Sequence, residues 1–184
     1  MELIGPYLAA CVLLVVAGVA KAVRPGDTAR AVATTVSLPP PTLAPLVVVG
    51  ATAEALVGLS GLLRPSTWTA GAVAASYLGF AVFVVVARAR GGPVASCGCL
   101  GTPDTPATRL HVVVDLVLAG SAATVAAATP ARWLPALLWR APWHGVPLAA
   151  ASVLCAWLAV LALSRLAELG AVRRSLGITR GATG

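Results

Sequence analysis

The residues with the clearest capacity for chemistry are two thiols one position apart, in Ser96-Cys97-Gly98-Cys99-Leu100-Gly101. Their Cα atoms can stand no more than about 7 Å apart, close to the upper limit for a disulfide. Gly98 supplies the backbone freedom that so small a ring requires. Small disulfide rings are strained, and strained disulfides are oxidising and readily exchanged. Arg88, Arg90 and Arg109 flank the motif and favour the nucleophilic thiolate. The chemistry this implies is dithiol–disulfide exchange at Cys97 and Cys99, with either sulfur able to attack. A zinc site needs about four ligands; Cys97 and Cys99 give two and His111 a third, so no metal site is expected. Incidental cysteines in a turn are the other alternative. Cys11 and Cys155 lie inside apolar runs, where small cysteine side chains serve packing.

A second set of groups stands out only by where it falls. Glu54 sits in the middle of an apolar run, about 15 Å from either end at the helical rise. Asp115 lies one and a half turns into another run, and His111 precedes it by four residues, on the same helical face. Lys21 closes the first run. Ionisable groups inside a membrane are expensive and mark function by default. His111 is the best placed of them to act as acid or base during thiol exchange. Lys21, Glu54 and Asp115 form the supporting polar cluster. The competing reading is structural: Lys21 pairs with Glu54 or Asp115 across helices and locks the bundle.

The elements that must position these residues are membrane spans. Of 184 residues, 59% are hydrophobic and 10% charged, against about 25% charged in soluble domains. So few charges cannot cover a soluble globule. A span needs about 20 apolar residues, and five runs qualify, near 3–23, 44–63, 68–87, 110–128 and 145–164. The expected fold is an all-α, multi-pass bundle in one membrane domain over residues 1–184, with a four-helix core and a fifth helix. The first run starts without a basic region and exceeds a signal-peptide core, so it is read as a retained helix. Leu38-Pro39-Pro40-Pro41 stiffens the approach to the second span, and residues between the first two spans read as connective. Gly50, Gly58, Gly61, Gly71 and Gly79 permit close helix packing.

The net charge of +7 is distributed as flanking charge rather than as a nucleic-acid patch, and no nucleic-acid partner is expected. An odd number of spans puts Lys21, Arg24, Arg30, Arg88, Arg90 and Arg109 on one face with four arginines of the tail, and only Arg64, Arg132 and Arg140 on the other. The positive-inside rule makes the first face, which bears Cys97 and Cys99, cytoplasmic. Trp68, Trp133, Trp139 and Trp143 fall at the arginine-poor face as headgroup anchors, and Pro130–Pro147 reads as an interfacial segment. The tail from residue 165 reads as a short amphipathic surface helix.

Three segments together resemble the MauE family of methylamine-utilisation membrane proteins, related to DoxX-like four-helix membrane proteins. They are Ala17-Gly18-Val19-Ala20-Lys21, Glu54-Ala55-Leu56-Val57-Gly58 and Cys97-Gly98-Cys99-Leu100-Gly101. The likeness covers about residues 1 to 130; Leu100 stands where that family usually has Phe. The resemblance implies Cys97 and Cys99 as the redox pair and Lys21 and Glu54 as signature polar positions. It further implies a plasma-membrane factor, working with a thioredoxin-like partner, that forms or maintains disulfides in an exported client such as an amine dehydrogenase. A quinone is the alternative electron partner. An exported client requires access from outside, so the electrons cross the bilayer, the loop folds inward, or the charge rule fails here. The rival function is a non-catalytic assembly or stabilising subunit. A transporter using Glu54 and Asp115 is disfavoured by the lack of inverted repeats.

Overall fold

Within lipid every backbone N–H and C=O must bond inside the protein, which leaves an apolar chain the helix as its local solution. A computed structural model of the chain describes residues 4–36, 38–89, 109–128, 138–139 and 143–161. Its helices are α1 (Ile4–Val23), α2 (Pro25–Val36), α3 (Pro40–Leu63), α4 (Thr67–Ala89), α5 (Arg109–Ala128) and α6 (Trp143–Leu161). All but α2 are long and apolar enough to cross a membrane, giving five candidate spans among the described residues. The all-helical, five-span architecture expected from the sequence is the one observed.

The helix ends follow local chemistry more closely than hydropathy does. α3 begins at Pro40 rather than near residue 44. Pro39 is an extended N-cap, and Pro40 and Pro41 occupy the first turn, where the missing N–H groups have no helical partner to lose. Thr42 donates from Oγ1 to the Pro39 carbonyl at 2.7 Å, fastening that turn. At the start of α4, Ser66 and Thr69 form a reciprocal cap. The Ser66 N–H donates to Thr69 Oγ1 at 2.8 Å, and the Thr69 N–H to Ser66 Oγ at 3.2 Å. α6 starts at Trp143, two residues before the run read from 145, so Trp143–Pro147 is helical and continuous with the fifth candidate span. The tail from residue 165 lies outside the described residues.

The segment read as connective contains a helix. α2 opens with proline and carries Asp27 in its first turn, both favourable at a helix N-terminus. Arg30 bonds Asp27 one turn on, Ala29 is fully buried, and the helix packs chiefly against α3.

α1 is the hub of the bundle. Of its hydrophobic window 56% is buried, against 17% for α3 and 39% for α4, and it touches α2, α3, α4 and α5. α1 and α3 run antiparallel in close contact: Tyr7 meets Gly61, Cys11 and Val15 meet Gly58, and Gly18 meets Ala51 and Ala55. The other intimate pair is α4 with α5. Tyr7, Cys11 and Leu14 of α1, Val73 and Tyr77 of α4, and Ala119, Ala122 and Val125 of α5 share one core. α6 lies outside this four-helix core. Leu148 packs on it, and Ser152 and Ala156, at four-residue spacing, are buried beneath the same face. On the opposite face of α6, Val153, Leu154, Trp157 and Leu158 are exposed.

Candidate functional site

Lys21 stands in the last turn of α1, and an ammonium cannot stay in hydrocarbon without a partner. The structure supplies one from the body of α3. Lys21 Nζ donates to Glu54 Oε2 at 2.7 Å, across 33 residues of sequence. The Lys21 side chain is 7% exposed and that of Glu54 20%. The register that brings them together is set one turn away, where Gly18 lies against the backbone of Ala51 and Ala55. Without a Cβ at Gly18 the helices approach closely enough for a lysine and a glutamate to bond directly.

α4 adds an aromatic wall. The Phe80 ring centroid stands 4.3 Å from Lys21 Nζ, in cation–π range. Phe80 is in turn held edge-on by Tyr77, with centroids 5.8 Å apart and an interplanar angle of 89°. Tyr77 is fixed by its hydroxyl, which donates to the Ala10 carbonyl at 2.7 Å in the buried interior. Tyr77→Phe keeps the ring contact and deletes this bond, so it is expected to lower bundle stability by about 1 kcal/mol. Thermal unfolding in detergent micelles measures it.

α5 brings the remaining groups. Asp115 is half-buried and within reach of the Lys21 charge, though not in ion-pair contact with it among the described residues. His111, one turn earlier on α5, is buried at 4% exposure. The four core helices thus each send a side chain to one region: Lys21 from α1, Glu54 from α3, Phe80 from α4 and Asp115 from α5. α4 leaves the membrane, and α5 enters it, at the end of the bundle where Lys21 lies. The chain that joins them carries Cys97 and Cys99, which lie outside the described residues.

Cys11 is fully buried beside the Tyr7 hydroxyl and Gly61, a packing position. Cys155 is exposed on α6. Trp68, Trp139 and Trp143 are all strongly exposed, and Trp68 and Trp143 stand at helix starts remote from Lys21. The sequence did not single out Phe80 or Tyr77, since an aromatic residue within an apolar run has no periodicity that marks it as facing a charge.

Residues 3–128, more than half of the chain, match the family model described as methylamine utilisation protein MauE. No curated protein matches the chain. No solved structure matches it either. The matched region takes in α1 to α5, the polar cluster and the two neighbouring thiols, and it ends before α6.

Proposed function

The chain belongs to the MauE family, and from that premise we propose that it is a membrane thiol–disulfide exchange factor whose working pair is Cys97 and Cys99. The observation that carries this reading is the Cys-Gly-Cys motif inside the matched region, on the segment that leaves α4 and returns to α5. Support comes from the buried ionisable cluster at the same end of the bundle. In the proposed step a thiolate of a thioredoxin-like partner attacks one sulfur of the Cys97–Cys99 disulfide. A mixed disulfide forms, and the second partner thiolate resolves it. The partner leaves oxidised, and this chain holds two thiols after taking up two electrons and two protons. Passing both electrons and both protons to a quinone, which becomes a hydroquinone, restores the disulfide. His111 serves as the acid or base for sulfur, and the clients are exported proteins of a methylamine-utilisation type. On this reading the chain resides in the plasma membrane.

The test is thiol alkylation in native membranes with the full chain. Cys97 and Cys99 should change together between protected and labelled states on addition of oxidant or reductant. Cys97→Ser and Cys99→Ser should each abolish the cycling and trap a mixed disulfide from only one of the two positions. A pair that stays in one state throughout overturns the exchange reading in favour of an assembly subunit.

A further inference from the structure

The charges that meet in the bundle do not cancel. Lys21 is the one cationic residue of α1, Glu54 the one charged residue of α3, and Asp115 the one carboxylate of α5. One ammonium therefore faces two carboxyl groups. Glu54 takes the direct bond at 2.7 Å, and the Phe80 ring covers the ammonium at 4.3 Å. Asp115 is left near the cation but outside its contact distance.

The other ionisable groups of the surrounding helices do not offset it. Arg88 of α4 and Arg109 of α5 are exposed at helix ends, and Asp27 and Arg30 of α2 pair with each other. His111 is buried on α5. As an imidazolium it would balance Asp115, but only by placing two further ions in a low-dielectric region, whereas a neutral carboxyl beside a neutral imidazole adds none.

We propose that Lys21, Glu54 and Asp115 form a proton-binding site within the membrane that holds one proton, and that the proton resides on Asp115. The assignment follows from contact. Glu54 receives the charge-assisted bond of the lysine, and Asp115 receives none from it. The site binds a proton whatever the thiols do, so it does not depend on the exchange reading. Its occupancy is set by the number of carboxyl groups less the number of ammonium groups. Removing the Glu54 charge therefore frees Lys21 to compensate Asp115, and the proton leaves.

Infrared difference spectroscopy on the full chain in liposomes at neutral pH reads this directly through the C=O stretch of a protonated carboxyl, which shifts in heavy water. The wild type should show one such band. Asp115→Asn should lose it, and so should Glu54→Gln, although the latter retains Asp115. His111→Gln should retain it, as should a Cys97→Ser/Cys99→Ser double variant. A band that survives Asp115→Asn, or a wild type with no band, overturns the proposal. Loss of thiol cycling with the band intact would sink the exchange reading and leave the proton site standing.

Discussion

Lys21→Met is expected to cost the folded bundle about 3–5 kcal/mol, the usual penalty for removing one member of a buried ion pair. The physical cause is the carboxyl group it strands: Glu54 sits in the body of α3 with its side chain only 20% exposed, and no second ammonium stands beside it among the described residues. Glu54→Gln should cost distinctly less, because the cation it leaves has Asp115 within reach of its charge. A Lys21→Met/Glu54→Met double variant should recover most of the loss, since an apolar pair of similar volume suits the low-dielectric interior. Unfolding of the three variants by graded denaturing detergent gives the comparison. Equal losses for both single variants would mean that Asp115 does not act as a reserve partner.

The second large effect concerns shape alone. A Cβ on Gly58 would lie 2.7 Å from the Cys11 carbonyl oxygen, and one on Gly18 would lie 2.6 Å from the Ala51 carbonyl oxygen. Both obstacles are backbone, so a side chain can be admitted only by separating α1 from α3. Gly18→Leu and Gly58→Leu should each destabilise by about 3 kcal/mol, the upper end of the range typical of overpacking. Gly18→Leu should also part Lys21 from Glu54, one turn away. Gly79→Ala, with nothing within 4 Å of the added carbon, is the matched control. It should leave stability unchanged or raise it slightly through helix propensity. A bundle that accepts leucine at Gly18 without loss would contradict the close antiparallel approach.

These cases show what a sequence of this kind discloses. The spans are legible because a run of apolar residues has few other fates, and Lys21, Glu54 and Asp115 stand out because they interrupt such runs. Which residues they meet is not legible, since partner choice depends on register between helices. Of the five glycines read as packing positions, Gly58 and Gly61 are pressed against α1, while Gly50, Gly71 and Gly79 face open space. Glycine content is the same in both groups, and only the direction of the helix face separates them. Phe80 was hidden for a related reason: in a hydrophobic stretch a ring over an ammonium looks like any other apolar side chain. α2 escaped notice because its apolar face, Ala29, Val32, Ala33 and Val36 at helical spacing, is built of small residues and is too short to span a membrane, although Pro25 and Asp27 were start signals in plain view.

The central place of α1 imposes an order on biogenesis. Chains emerge from the ribosome beginning at their first residues, so α1 reaches the bilayer before any helix that will surround it. Its lysine is near the end of the span and can stretch toward the headgroups while it waits. Glu54, deeper in its own helix, has no such refuge and arrives only when the ammonium is already in position to receive it. The early charge is placed where solitude is tolerable, and the late one where company is waiting.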